Sequence, residues 1–421
     1  MEKPNKQRVL FLLRDGYWLT HTPSYTSHIA KEINKRGIPI DFFVEYSAYE
    51  KAETEVDRQE GMNRIFYYDM SKWLYRYKKR TTNKTPLLCR VKDKLIRTIF
   101  FESFRYGNSY IDVKKLIKKI KTVNPEGYSH IYSCINPFCR TRLSYYVKKE
   151  FPAAKRTVYM IDNHVYNPIR IKRSGIWIFK VIGIWKRKRQ FKKYIQGTDK
   201  LMMLPGIFQK NKEKNYKTGF EDITEVYPLP NLVDPKIGIS SYEDNLVHLV
   251  FAGSFFKNMR NPDKVLEIFG KLGIKDLSFD IFGSASFYVQ RHYKNIDERI
   301  KLCGTVSQED VKDAMSKSNF VVNIGCTETS QISGKVFELI ASGRPIINFF
   351  YDDTEPTLEY LEKYPSVISI NVNTYTQQDV VALEKFIIEN KDRRFSFAEA
   401  TKDLQEYLGE NIVKRIVDSM L

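Results

Sequence analysis

Cysteine is scarce in this 421-residue chain: Cys89, Cys134, Cys139, Cys303 and Cys326 are the only five, and no two form a CxxC pair. An odd, widely spaced set excludes a disulfide scaffold, and the six histidines never take zinc-ligand spacing with it. No metal site and no bound cofactor is expected. Long apolar runs are also missing. The most lipophilic stretch, Gly175–Trp185, has eleven residues and includes Lys180, whereas a membrane-spanning helix needs about 20. Met1–Arg8 is polar and Val9–Leu13 is too short for the apolar core of a secretion signal. The expectation is a cytoplasmic protein. Internal repeats and low-complexity segments are absent too, which sets aside solenoids and disordered tails.

What is present is positive charge, unevenly spread. Residues 1–230 hold 47 Lys and Arg against 22 Asp and Glu, whereas residues 231–421 hold 22 against 28. The whole excess of +19 therefore belongs to the first half, and a partner with an anionic surface is expected to meet that half. Within it, Ile169–Ile195 carries ten Lys and Arg and no acid, interleaved with Trp177, Phe179, Trp185 and Phe191. Trp73–Arg80 and Val113–Val123 repeat the theme. Cations mixed with aromatic anchors point to binding at an anionic membrane surface, at about 1 kcal/mol per well-placed cation. The plainer alternative is a solvated face over a buried helix.

The chain is long enough for two α/β domains of roughly 200 residues each. Arg8–Leu13 is a continuous apolar run suited to a buried parallel strand; a helical pattern over Ser24–Arg36 follows, then a second strand at Pro39–Val44. His130–Ser133 and Thr157–Ile161 read as later strands, and residues 50–125 as an irregular, helix-rich insertion. The second half alternates regularly: strand Val247–Phe251, helix Pro262–Leu272, strand Leu277–Phe282, strand Ile300–Cys303, a capped helix from Ser307 to about Ser316, strand Phe320–Ile324, helix Gly334–Ala341 and strand Pro345–Phe350. Such alternation means doubly wound parallel sheets. The expected domains are 1–230, 231–396 and a helical segment 397–421 packing back toward the first domain, with the boundary in the proline-spaced Tyr227–Pro235. Ligands are expected at the carboxyl ends of the strands, in a crevice between two such domains.

The richest segment for chemistry is Asn319–Phe350. A buried strand is followed by the small, hydroxyl-rich loop Gly325–Ser333, and Gly334 then opens a helix. Unpaired N–H groups of Ser333, Gly334 and Lys335 would make a diphosphate seat at the helix N-terminus, with the Lys335 charge beside it. Glu338 lies three residues on, on the same helix face. A carboxylate there can accept hydrogen bonds from ribose hydroxyls, although Lys335 and Glu338 can equally form a plain surface ion pair.

SGKVFELIASGRPII resembles the donor-nucleotide signature of GT-B glycosyltransferases of the retaining, GT4-like group. The likeness extends over about residues 226–350, with PLPNLVDP as the linker and HLVFAGSFFKNMRNPDKVLEIF as the first β-loop-α of the nucleotide domain. It implies a GT-B fold: two Rossmann-like domains facing a cleft, the first binding acceptor and the second binding nucleotide sugar. It also implies an enzyme that moves sugar from that donor to a glycan or lipid-linked glycan in surface polysaccharide biosynthesis, with retention, at the inner face of the cell membrane. The nucleotide sugar is a substrate there, not a cofactor. By motif match Glu338 would bind the ribose, Gly334 and Lys335 the diphosphate, Gly253 would admit the donor phosphates, and Arg260 and Lys257 would neutralise charge. One departure stands out. Relatives carry a further glutamate eight residues before the one matched by Glu338, and here that position is Ser330. The contact to the donor sugar and the stereochemical outcome are open on that account, with Glu328 as a substitute.

In the first half, Asp162 and His164 follow a strand and are the candidates for catalysis, orienting donor or acceptor in a retaining enzyme or acting as general base in an inverting one. His164 has the alternative of a hydrogen-bonded structural histidine. The loop Asp15–Thr22, with Gly16 and His21, is the candidate for acceptor contact. Two other readings stay open at this point: a sugar-nucleotide 2-epimerase of the same architecture, and a nucleic-acid-binding protein on charge alone. The latter has no recognition signature in its favour.

Overall fold

Thirteen strands among the described residues are laid down by short runs of buried aliphatic and aromatic side chains. In this computed structural model the described residues are 7–14, 25–46, 63–69, 110–134, 139–161, 163–166, 177–235, 240–255, 260–327 and 334–421. The chain divides into two compact units, Met1–Leu229 with Ile412–Leu421, and Pro230–Asn411.

In the first unit the strands are β1 (Val9–Arg14), β2 (Ile40–Tyr46), β3 (Arg64–Asp69), β4 (His130–Cys134), β5 (Lys155–Met160), β6 (Lys200–Met203) and β7 (Thr224–Val226). They form one parallel sheet in the order β3-β2-β1-β4-β5-β6-β7. Its helices are α1 (Tyr25–Lys35), α2 (Tyr110–Val123), α3 (Cys139–Glu150), α4 (Trp177–Ile195) and α5 (Pro205–Glu213). One face of the sheet is covered by Ile29 and Ile33 of α1, Phe191 and Ile195 of α4 and Ile207 of α5. The other is covered by Val113, Leu116 and Ile120 of α2 with Leu143 and Val147 of α3. Both faces are covered, which is why β1 reads as an unbroken apolar run. Beneath the sheet's amino edge a fully buried Asp41 accepts from Arg8 (2.6 Å), from Arg64 (2.6 and 2.8 Å) and from the Tyr128 hydroxyl (2.9 Å). Paired on both oxygens, the carboxylate is tolerated inside because it is saturated with donors.

The second unit contains β8 (Val247–Ala252), α6 (Asp263–Gly270), β9 (Leu277–Phe282), α7 (Ser284–His292), β10 (Ile300–Gly304), α8 (Gln308–Lys317), β11 (Phe320–Ile324), α9 (Lys335–Ala341), β12 (Ile346–Phe350), α10 (Leu358–Leu361), β13 (Val367–Asn371), α11 (Gln377–Asn390) and α12 (Phe397–Ala400). Its sheet is parallel in the order β10-β9-β8-β11-β12-β13. Period-two alternation divides the strands between two cores. Leu249 and Phe251 face α6 and α11, while Val250 and Val321 face α8 and α9. The capping box foreseen at Ser307 is formed reciprocally with Asp310.

Several expectations change. The stretch read as an irregular insertion contains strand β3, and the sheet of the second unit gains β13. The tail read as one helical region is broken: α12 gives way to a 3-10 turn over Lys402–Tyr407, where Leu404 leaves helical geometry (φ −122°), before α13 (Gly409–Met420). From Ile412 onward α13 belongs to the first unit, where Ile412, Val413, Ile416 and Val417 enter the core.

His248, at the start of β8, is buried with its ring between two carboxylates. Nδ1 lies 2.8 Å from Asp280 and Nε2 lies 2.9 Å from Asp244. Burial opposes protonation, but the hydrogen bonds to Asp280 and Asp244 prevail and raise the pKa above the usual histidine value. A raised folded-state pKa means that the stabilisation is complete below the unfolded value of about 6.5 and is lost as pH climbs through the folded one. The thermal stability gap between wild type and His248→Asn should therefore be widest at mildly acidic pH and shrink toward pH 9. A gap that widens with pH would refute the assignment.

Candidate functional site

At the carboxyl edge of the second sheet four strands end on small residues or turn sharply: β8 at Gly253, β9 at Gly283, β10 at Gly304 and β11 at Gly325. Gly253 donates its N–H to Phe282 O (3.1 Å) and accepts from Ala285 N (3.1 Å); Gly283 donates to Gly304 O (2.6 Å), and Gly325 to Phe349 O (2.7 Å). Gly283 adopts φ +86°, and a Cβ there would lie 2.6 Å from Gly253 O. Only glycine meets both demands. The edge is thus a row of closely approaching backbones.

Arg260 lies across this row. Its Nε donates to Gly325 O (3.4 Å), one Nη to Cys326 Sγ (3.2 Å), and the other Nη sits 3.6 Å from where a Gly253 Cβ would be. Among the described residues no carboxylate comes within ion-pair distance of it. The Tyr351 hydroxyl, just past β12, donates to Asn261 O and pins the segment that carries Arg260. Burial raises the Tyr351 pKa, so this hydroxyl remains a donor at neutral pH. Glu355 completes the group. It is 5% exposed, accepts from Thr357 Oγ1 (2.7 Å) through one oxygen, and packs its carboxyl group against Gly325. Burial is the main reason its pKa is raised; hydrogen bonding from Thr357 and the Arg260 charge oppose that shift.

The other expected ligand residues fall beside the same strand. Gly334 is the N-cap of α9, which has seven residues and packs on β11. Lys335 and Glu338 pair with each other, Nζ donating to Oε2 at 2.6 Å, and both stay partly exposed. This is the ion-pair arrangement that the spacing allowed, and it leaves both groups at the surface, where a ligand can exchange with either. Gly253 and Arg260 are brought together; Lys335 and Glu338 form a separate pair. Tyr351 and Glu355 were not singled out from the sequence. They lie more than 20 residues beyond the loop they touch, and no local pattern marks them.

In the first unit His164 is 4% exposed at the carboxyl end of β5. Its neighbour Asn163 accepts from Tyr166 N (2.8 Å), and Val165 O accepts from the buried Arg187 (2.9 Å). Gly16, His21, Asp162, Lys257, Ser330 and Ser333 lie outside the described residues, as does Glu328. Among the described residues no group of three His, Cys, Asp or Glu side chains is arranged to hold a metal.

Comparison with solved structures decides the architecture. A lipopolysaccharide outer core galactosyltransferase, WaaB, in its apo form, superposes over 98% of this chain and 99% of its own with a TM-score of 0.56 at 9% identity. The chain has the GT-B fold. The UDP-forming α,α-trehalose-phosphate synthase from Burkholderia vietnamiensis matches with a TM-score of 0.57 at 8% identity, over 98% and 99% of the two chains. TcCGT1, solved in complex with UDP, matches with a TM-score of 0.50 at 11% identity over 99% of both chains. No protein-family model matches the sequence, and no curated protein does. In the GT-B frame the glycine row is the carboxyl edge of the second Rossmann-like sheet, where such sheets take their ligands.

Gly283→Ala tests whether the row is as tight as described. A side chain at that positive φ costs about 1–3 kcal/mol, and the clash with Gly253 O adds to it. Denaturant titration should show a loss in that range or larger, whereas a neutral effect would contradict the geometry.

Proposed function

We propose that the protein is a glycosyltransferase that binds a nucleotide sugar at the carboxyl edge of its second unit and passes the sugar to a glycan or lipid-linked glycan. The observation that carries this reading is Arg260, a guanidinium laid over the glycine row with no carboxylate partner among the described residues. An arginine held this way by a carbonyl and a sulfur keeps its charge available for a phosphate oxygen. Backbones without Cβ atoms at Gly253 and Gly283 give a diphosphate room to approach. Lys335 adds a second cation, and Glu338, released from it, accepts from the ribose hydroxyls.

The chemistry follows from that placement. The bond between the anomeric carbon and the diphosphate breaks, a bond from the acceptor oxygen to that carbon forms, and the acceptor proton passes to the departing diphosphate. What the protein supplies is stabilisation of charge on the leaving group, the task of Arg260 and Lys335. We assign retention to the transfer, since this route requires no side-chain base.

The first unit offers a surface suited to the acceptor. On α4, Trp177, Val181, Ile182 and Trp185 are exposed along one stripe, continued by the exposed Arg189, Lys192 and Lys193. Arg189 lies 5.7 Å from the centre of the Trp185 ring. Arg187, in the same basic run, is buried instead and serves the fold. Aromatic rings beside clustered cations complement an anionic lipid surface, where each cation contributes about 1 kcal/mol. Among the described residues no helix is long and apolar enough to cross a membrane, so this attachment is peripheral.

Two measurements test the proposal. In a thermal-shift panel of UDP, GDP, CMP, ADP and dTDP, one nucleotide at a hundred times its dissociation constant should raise the midpoint by roughly 5–10 °C. Arg260→Ala should abolish that shift, and Lys335→Ala should reduce it. A shift that survives Arg260→Ala would remove the donor-site assignment. Separately, the protein should sediment with vesicles containing anionic lipid and much less with purely zwitterionic ones. Replacing Trp177 and Trp185 by alanine should weaken that binding at least tenfold. Undiminished sedimentation of the double variant would end the membrane reading.

A further inference from the structure

Glu355 is buried against Gly325, the glycine that Arg260 also touches, and Arg260 is the cation that the proposed ligand would neutralise. Its carboxyl group packs on Gly325, on the opposite side of the same residue whose carbonyl oxygen accepts from Arg260 (3.4 Å). One oxygen, Oε1, takes a hydrogen bond from Thr357 Oγ1 (2.7 Å); the other, Oε2, is buried without a hydrogen bond of ordinary geometry, although the Cys326 backbone N–H also favours the ionised form. An ionised carboxylate so placed is poorly solvated, and a half-satisfied one is costly unless a positive charge compensates it. Among the described residues the titratable and charged groups around it are few. Arg260 comes from the segment before α6, Cys326 from the loop after β11, and Tyr351 and Asp352 from the loop after β12. Arg260 is the only cation among them, and Asp352 acts against ionisation.

We propose that Glu355 is the positioning residue of Arg260: it balances the guanidinium charge in the empty site, and it takes up one proton from solvent when a diphosphate docks on Arg260. The incoming anion supplies the counter-charge, the compensation of Glu355 ends, and the proton settles on its Oε2. No other bond changes. Burial raises the Glu355 pKa, while hydrogen bonding from Thr357 and then the Arg260 charge lower it; docking removes the Arg260 contribution. Binding and protonation are therefore linked. Diphosphate affinity falls as pH rises through the Glu355 titration, because the proton must then be drawn from a more dilute source. This linkage rests on the donor-site reading and refines it, since the site would select for esterified diphosphates most strongly under mildly acidic conditions.

The probe is a nucleotide sugar carrying the base that gives the thermal shift; its diphosphate is esterified at both ends and lacks the second phosphate ionisation that would itself respond to pH. Calorimetry of the wild-type protein in two buffers of different ionisation heat should show net proton uptake approaching one per site. Affinity should fall several-fold from mildly acidic to mildly alkaline pH, and by no more than about tenfold per pH unit. Glu355→Gln keeps the shape and removes the titration, so it should bind with nearly constant affinity across that range, close to the wild-type value at low pH. Binding by wild type without proton uptake would overturn this inference and leave the donor site standing. Proton uptake that persists unchanged in Glu355→Gln would overturn it as well. Failure of every nucleotide sugar to bind the wild type at any pH would overturn both. The calorimetric arm uses the unmodified protein and remains decisive even if the variant does not fold.

Discussion

Two glycine backbones in contact set the geometry of the candidate site. Gly253 ends β8, Gly283 ends β9, and a single methyl group on the latter would strike the carbonyl oxygen of the former. That approach draws Ala285 N onto Gly253 O and aligns the start of α7 with the end of β8. Arg260 can then lie flat across the row to reach Gly325, because no side chain rises from Gly253 to lift it. Packing density in the two cores behind the edge fixes the strands, and the strands fix the glycines. The site is rigid where backbone meets backbone, and its polar side chains are added on top.

Charge is distributed with the same economy. Asp41 in the first unit is buried and saturated, and His248 in the second is clamped by two aspartates. Both serve the fold. Arg260 differs from them in making only neutral contacts among the described residues, whereas Lys335 and Glu338 satisfy one another at the surface. A partly exposed ion pair of this kind contributes only a few tenths of a kcal/mol, so a ligand can replace it at little cost. A guanidinium that lies over glycines, with no acid at ion-pair distance among the described residues, is instead positioned for an anion. Part of the basic excess of residues 1–230 lies on α4, next to the exposed Trp177 and Trp185.

Much of the fold was legible because buried parallel strands leave a short, unbroken apolar signature. β1 carries it whole, and β8, β9, β11 and β12 carry it with one or two polar residues set among buried aliphatic and aromatic ones; glycines after β8, β9 and β11 mark where those three end. β3 was passed over because Arg64, Tyr67 and Tyr68 interrupt the apolar run, and β7 and β13 because edge strands are short and only half covered. The tail looked uniformly helical because its apolar spacing continues through Leu404, although the backbone turns there. In the site, Gly253 and Arg260 follow directly from strand, loop and helix in succession. Tyr351 and Glu355 reach the same place from the neighbouring strand, and only the pairing of β11 with β12 brings them there. The likeness to a GT-B donor signature pointed to the carboxyl edge of the second sheet. It did not reveal that Lys335 and Glu338 hold each other when no ligand is present.

The central claim is that the glycine row and Arg260 receive a diphosphate. A crystal structure with a nucleotide sugar bound tests it most directly. The account requires phosphate oxygens within hydrogen-bonding distance of the Arg260 guanidinium and against Gly253, with the Lys335–Glu338 pair opened and Glu338 on the ribose. A nucleotide seated elsewhere, with Arg260 still resting on Gly325 and Cys326 and the Lys335–Glu338 pair intact, would contradict it.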